Sequence, residues 1–314
     1  MIMRILRRLD IRCVEHLCKH VGCTEKQLRD FCQHPEAWYW RGEKTVKGKV
    51  RPIARPIGAF YAVSRRLQTL LGRIALPPYL HGGIRGHSPR TNALIHIGKA
   101  AILKFDLQDF FPRIRPAQVY KAFVERLGCS ARVARVLTRL VTLDGGLPQG
   151  SPTSTTVANL VIVPLAKRLN GLAKSHASNY GQFVDDGAIS GPGYIERIRP
   201  LIERIIRQEG FRASPKPHKR LTLYWYQEQV VTGVKVNRRI DAPQEKVREV
   251  SDLLDAMQNH TCTSQRWSET QLRSLAGKIQ NIRNLNPRLG DAFRQRLARL
   301  TVNDRMSLCT ERQA

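Results

Sequence analysis

Apolar and polar positions divide this chain into short strands in its middle and helices towards both ends. Residues 101–107 form an almost unbroken apolar run interrupted by Lys104 and Asp106. Period-2 alternation puts those two on one face and Leu103, Phe105 and Leu107 on the core face of a strand that Asp106 ends. Residues 180–184 and 188–190 are two further strands, with Asp185-Asp186-Gly187 supplying a tight turn between them. Leu67, Leu70, Leu71 and Ile74 predict a helix over 61–74. Val157, Leu160, Val161 and Leu165 predict another over 154–172, kinked by Pro164. Residues 195–209 read as an amphipathic helix, and 221–226 and 230–236 as strands. Beyond Pro243 the pattern turns helical, with Leu272, Leu275, Ile279, Ile282 and Leu285 on one face. Two short helices are expected before residue 40, the second opened by the capping box Thr24-Glu25-Lys26-Gln27. The class expected is α+β.

Charge narrows the function. With 53 Lys+Arg against 25 Asp+Glu the chain carries +28 and a pI near 10.6, a balance suited to neutralising phosphates. No apolar run reaches the roughly 18 residues of a membrane-spanning helix. Met1-Ile2-Met3-Arg4 opens a charged segment rather than a secretory signal, so a cytoplasmic protein is expected. Seven cysteines in such a chain fit reduced thiols. Cys13, His16, Cys18, His20 and Cys23 include zinc-ligand types, but their spacing matches no familiar finger, and an amphipathic helix that buries its cysteines is the expected use.

Candidate chemistry sits at Phe183-Val184-Asp185-Asp186. Adjacent carboxylates in an apolar run repel one another and shift towards their neutral forms unless a cation compensates them. Alone, the tetrapeptide reads more readily as a solvated turn. Asp106, 79 residues before Asp185, supplies a third acid from a strand able to lie beside the hairpin. Three such carboxylates make an oxygen cage for hard Mg²⁺, and a site with two ions serves in-line phosphoryl transfer. Alternation from Asp106 points Asp109 elsewhere.

Phe105-Asp106-Leu107-Gln108-Asp109-Phe110-Phe111, then Leu147-Pro148-Gln149-Gly150-Ser151-Pro152-Thr153-Ser154, then Phe183-Val184-Asp185-Asp186 resemble the successive palm motifs of reverse transcriptases. Asn92-Ala93-Leu94-Ile95-His96 and Val231-Thr232-Gly233 resemble two elements of the retron members of that family. The resemblance implies a right-hand polymerase: fingers over 1–100, a palm over 101–240 with a fingers insertion at about 112–150, and a helical thumb over 241–314. It implies that Asp106, Asp185 and Asp186 hold two Mg²⁺ ions, that Phe111 excludes the ribose 2′-hydroxyl, and that Gln149 and Gly150 contact the nucleotide. The basic stretch with Lys44, Lys47, Lys49, Arg51 and Arg55 resembles the fingers hairpin that closes on the triphosphate; Arg51 is the candidate for that contact, with a template-backbone contact as the alternative. Asn92, His96, Val231, Thr232 and Gly233 are RNA-binding candidates, and residues 271–300, with seven basic and one acidic side chain, suit a thumb gripping duplex.

At the position where relatives carry an Asn and a Lys-Thr pair, this chain has Ser214 and Pro217-His218, leaving Lys216 or Lys219 as weak substitutes near the pyrophosphate. The glycine-rich, basic run His81-Gly82-Gly83-Ile84-Arg85-Gly86-His87-Ser88 has the composition of a loop that presents amides to phosphate. As a retron enzyme the protein would copy its own structured non-coding RNA from dNTPs into a branched RNA–DNA product (msDNA), beside an effector protein in antiphage defence. Host ribonuclease H would remove the template, because no such domain fits this chain. Rival readings are a group II intron-like or diversity-generating reverse transcriptase, and an inactive nucleic-acid-binding protein of the same fold.

Overall fold

Strand and helix propensities resolve into the elements of a computed structural model, which describes residues 8–46, 48–260 and 267–310. Met1-Ile2-Met3-Arg4 and Lys47 lie outside the described residues. In chain order come α1 (Val14–Val21), α2 (Glu25–Gln33), α3 (Pro35–Trp38), the hairpin β1 (Tyr39–Val46) and β2 (Lys49–Pro56), and α4 (Gly58–Leu71). Then follow α5 (Pro89–Leu94), β3 (Ala101–Asp106), α6 (Phe110–Arg113), α7 (Pro116–Lys121), α8 (Ala131–Val141) and α9 (Ser154–Ser175). The hairpin β4 (Asn179–Phe183) and β5 (Asp186–Gly191), α10 (Arg199–Gln208), β6 (Thr222–Tyr224), β7 (Val230–Val231) and β8 (Val234–Lys235) precede α11 (Gln244–His260), α12 (Glu269–Leu285) and α13 (Pro287–Thr310).

Contacts divide the chain into two compact units, Met1–Ser88 with Ala101–Thr222, and Pro89–Ala100 with Leu223–Ala314. In the first, an antiparallel sheet of order β4-β5-β3-β6 forms the centre, and β6 begins at the unit's last residue. Helix α9 is buried along Val157, Ala158, Leu160, Val161, Ile162, Leu165, Ala166 and Leu169, and packs on β4, α10 and α4. It runs through Pro164 without a break. Each such Leu or Ile contributes roughly 1.5–3 kcal/mol by leaving water, which seats the sheet on a fixed base. The expected capping box is present: Gln27 donates its backbone N–H to Thr24 Oγ1 at 3.2 Å while Thr24 N–H donates to Gln27 Oε1 at 2.9 Å. Helix α1 buries Leu17, Cys18 and Val21, as an amphipathic helix should.

In the second unit α11, α12 and α13 enclose Val250, Leu254, Met257, Leu275, Ile279, Ile282, Phe293 and Leu300. Two strand expectations change here. Residues 221–226 do not continue as a strand, because β6 stops at Tyr224 and the Gln227 N–H turns back to the Tyr224 carbonyl at 2.9 Å. Val231-Thr232-Gly233 is not inside a strand either. Val231 pairs with Val234, and Thr232 (φ +48°) with Gly233 (φ +75°) forms the two-residue turn between β7 and β8. Two successive positive φ values suit such a hairpin turn and end the ladder there.

Candidate active site

The acids converge through strand register. Asp106, last residue of β3, pairs with Asp186, first residue of β5, and Phe183 pairs with the same Asp186 from β4. The connecting turn is therefore Val184-Asp185, one residue earlier than the Asp185-Asp186-Gly187 turn expected. Asp186 is drawn into the ladder by its partner on β3, and Val184 takes the left-handed conformation (φ +59°). A β-branched residue is strained there, so the surroundings must hold it.

They do so from three sides. Gln182, 1% exposed, donates from Nε2 to the Val184 carbonyl at 2.8 Å and accepts the Tyr180 hydroxyl at 2.7 Å. Leu107 N–H donates to the Asp185 carbonyl at 3.0 Å. His81 N–H donates to the Gln182 carbonyl at 2.8 Å, bringing Gly82 so close that a Cβ there would stand 2.6 Å from Val184 N. Asn159 Nδ2 in turn donates to the Gly82 carbonyl at 2.7 Å. The glycine-rich run expected to cradle phosphate thus presents His81-Gly82 to the hairpin as a backbone buttress.

His81 is itself buried, 5% exposed, with the His87 ring 4.9 Å away. Burial, reinforced by His87, pushes its imidazole down to about 4. Above pH 6.5 it is neutral both folded and unfolded, and its neutral burial is fully retained. As pH falls from about 6.5 to about 4, the unfolded chain takes a proton that the folded one refuses, and up to about 3 kcal/mol is lost. Thermal melts at pH 7.5 and 4.5 should therefore separate more for the parent than for His81→Gln; equal separations would remove His81 as the cause.

Lys219 supplies the counter-charge. Its Nζ lies 2.7 Å from Asp106 Oδ1 and 3.6 Å from Asp186 Oδ1. Ser214 N–H donates to the Asp106 carbonyl at 2.7 Å and Gln108 N–H to the Arg212 carbonyl at 2.8 Å, so the segment after α10 continues the edge at Asp106 and the short turn Pro217–Lys219 delivers the lysine. Burial alone would lower the Lys219 pKa, but its bond to Asp106 and the surrounding acids raise it overall. Asp185 behaves oppositely. Burial first, then Asp186 and Asp106, push its carboxyl up to about 6. Asp186 shifts the same way, chiefly through burial, with Lys219 opposing.

Among the described residues no three His, Cys, Asp or Glu side chains stand as a ready-made ligand set, at these acids or around Cys18. The donor chemistry at the acids still fits a divalent ion: Asp106 and Asp186 share the Lys219 ammonium, and Asp185 lies beside them, raised first by burial and then by their charge. Lys219→Met should cost the metal-free protein about 1 kcal/mol, or about 2–4 °C. Added Mg²⁺ should stabilise that variant more than the parent; equal Mg²⁺ stabilisation would show that lysine and metal do not share these carboxylates.

The other candidates fall into two groups. Ala54 N–H on β2 donates to the Gln149 carbonyl at 2.8 Å, and Gly150 packs on the Ile53 and Arg55 side chains. Alternation puts Arg51 on that same face of β2, and Arg51 is exposed. Leu147 N–H donates to the Phe111 carbonyl at 3.0 Å, which ties the Gln149 loop to the half-buried Phe111. Asp109 stands apart from the acids, its carboxylate 3.9 Å from Arg113. The second group belongs to the second unit, where α5 packs on β7 and β8 and Thr232 Oγ1 donates to the Pro89 carbonyl at 3.1 Å. Asn92, His96 and Val231 are 1%, 0% and 1% exposed. Their side chains are buried, whereas Thr232 and Gly233 are half-buried. Sequence reasoning undervalued Lys219 and missed Gln182, whose only signal was a polar residue at a core-facing strand position.

An antiparallel sheet that carries paired acids at a hairpin, with a helical second unit, defines an α+β protein. Residues 42–271 match the reverse transcriptase (RNA-dependent DNA polymerase) family, and the chain belongs to it. It is 32% identical over 270 residues to the retron Mx65 reverse transcriptase of Myxococcus xanthus, covering 79% of this chain and 61% of that protein. The retron Mx162 reverse transcriptase of the same organism is 29% identical, over 93% of this chain and 67% of the relative. These relatives support the retron resemblance, though this chain spans under two thirds of the Mx65 enzyme. Among solved structures, a foamy viral protease-reverse transcriptase in complex with double-stranded DNA aligns over 96% of this chain and 46% of its own, with 13% identity and a TM-score of 0.47. Among the described residues no helix is long and apolar enough to cross a membrane.

Proposed function

We propose that this protein is an RNA-directed DNA polymerase of the retron type, with fingers over 1–100, palm over 101–240 and thumb over 241–314. The observation that carries the reading is the register pair Asp106 and Asp186 beside Asp185, in a chain of the reverse transcriptase family. Asp106, Asp185 and Asp186 would hold divalent magnesium, two ions when substrate is bound, which activate the attacking hydroxyl and neutralise the departing pyrophosphate. Lys219 Nζ keeps its proton through Asp106 and is assigned to the departing pyrophosphate as the cation that bridges Asp106 and Asp186. Arg51, exposed on β2, receives the triphosphate, while Gln149 and Gly150 position the nucleotide against the template pair. Phe111 closes the space beside the sugar.

The finer proposal is that the template is a structured non-coding RNA, that the product is branched RNA–DNA, and that the cell uses the system with an effector against phage. The relatives' retron names and the motif-like stretches at Asn92 to His96 and Val231 to Gly233 support it. Expression with flanking genomic DNA, followed by a denaturing gel of total nucleic acid, should reveal a short DNA band bound to RNA. A parent protein that extends annealed primers on RNA yet leaves no such band would refute the retron reading alone; failure to extend any primer would refute the polymerase. In the same extension assay Phe111→Ala should raise the ratio of ribo- to deoxynucleotide incorporation by about 10-fold or more, the size of one removed steric clash. An unchanged ratio would remove Phe111 from sugar selection.

A further inference from the structure

One turn of the second unit is built to present two aromatic rings that its own core does not use. Trp225 and Tyr226 are the central residues of the turn closed between Tyr224 and Gln227, and they are 70% and 69% exposed, the highest values among the large hydrophobic side chains described. Turns ordinarily carry Gly, Pro, Asn, Asp or Ser, and large aromatics in water forgo the burial that stabilises a fold. Yet the backbone beneath these two is held firmly. Trp225 N–H donates to the Ala100 carbonyl at 2.9 Å, and Tyr224 N–H to Gln227 Oε1 at 2.9 Å. Asn237 Nδ2 donates to the carbonyls of Trp225 at 3.2 Å and Gln227 at 2.7 Å. Tyr226 stacks parallel to Tyr224, the planes 5° apart and the centroids separated by 5.8 Å, and Trp225 stands edge-on to Tyr226 at 84°.

A cavity of about 1230 Å³ adjoins the rings, bordered also by Lys99, Lys235, Arg238 and Arg239. Of its acids, Glu228 lies 3.5 Å from Lys235 and accepts Gln244 N–H at 2.9 Å, while Asp241 lies 3.9 Å from Arg239. Lys99 and Arg238 have no carboxylate partner among the described residues. Rigid aromatic faces with cations around them match one ligand chemistry: bases whose faces are open, joined by phosphates. A duplex hides its base faces, so the match is to an unpaired strand.

The geometry points to the Trp225–Tyr226 turn as a stacking platform for an unpaired polynucleotide segment, with Lys99 and Arg238 neutralising its phosphates. This rests on the reading of the chain as a nucleic-acid polymerase, and it adds a second contact surface to that enzyme. The test is fluorescence anisotropy of the full chain with labelled 12-nucleotide oligo-rU, oligo-dT and a duplex of the same length. Trp225→Ala/Tyr226→Ala should weaken the single strands by about 10-fold, as expected for one lost base stack, with the duplex little changed. Loss in the RNA arm alone, the DNA arm alone or both identifies which strand the platform takes. Arg238→Gln should weaken binding less and flatten its salt dependence. Parental affinity of the aromatic variant for both single strands would overturn the proposal, as would an equal loss on duplex, which would show that the rings do not select unpaired bases. Primer extension by the parent protein is scored separately, so that failure of the polymerase reading and failure of the platform are read from different assays.

Discussion

Asp185→Asn is expected to slow nucleotide addition by at least about 10³-fold and, at the same time, to make the metal-free protein more stable. The first effect follows from the proposed role of Asp185 as a metal ligand, which would supply several kcal/mol of charge stabilisation in the transition state. The second follows from the carboxyl's displacement to about 6 by burial, Asp186 and Asp106. Below its unfolded value near 3.9 the group is neutral in both states and costs nothing. As pH rises from about 4 to about 6 the unfolded chain ionises first, so the folded state loses stability, and above that window the cost stays constant at about 3 kcal/mol. Melts in EDTA at pH 7.5 should place the variant above the parent by several degrees, the gap closing towards pH 4. A variant less stable than the parent at pH 7.5, or one that retains polymerisation, would undo the assignment of Asp185 as a charged ligand. His81 titrates with the opposite sign over an overlapping window, which is why single variants are required to separate them.

Gly82→Ala should cost about 100-fold in activity without touching an acid. Its Cβ would lie 2.4 Å from Val184 Cγ2, 2.6 Å from Val184 N and 3.1 Å from the Phe183 carbonyl carbon. Two of those atoms are backbone, so no side-chain rotation relieves the clash, and the turn that carries Asp185 must move. Displacement of reacting groups by about 1 Å is enough for a loss of this size. Val184 already occupies the left-handed region, leaving the hairpin little freedom to adapt. Gly193→Ala, with open space around its Cβ and no positive φ, is the control expected to behave as the parent. Extension rates of both variants on one annealed template–primer decide the matter; a Gly82→Ala enzyme at parental rate would mean that the buttress does not position the acids.

Much of the local architecture was legible in order. The alternation of Leu103, Phe105 and Leu107 against Lys104 and Asp106, the capping box at Thr24 and the stripe of Leu275, Ile279 and Ile282 each encode a periodic element, and each element is present. Turn positions were less legible. Asp-Asp-Gly has the composition of a hairpin turn, yet Val184-Asp185 makes it, because Asp186 gains a ladder partner in Asp106 that no local preference could announce. At Thr232-Gly233 the opposite happened: β-branched neighbours suggested a continuous strand, and pairing of Val231 with Val234 turned it back.

By itself the sequence determined the periodic elements, the cationic character and the identities and order of the acids, since these depend on residues close together along the chain or on composition alone. Only tertiary structure decided that Lys219 neutralises Asp106 and Asp186, that Gly82 and Gln182 hold the Val184 turn, and that Asn92 and His96 turn inward. Those outcomes depend on which strand edges meet and which side chains lose water. Such choices are made by burial and register between distant segments, and a local pattern does not contain them.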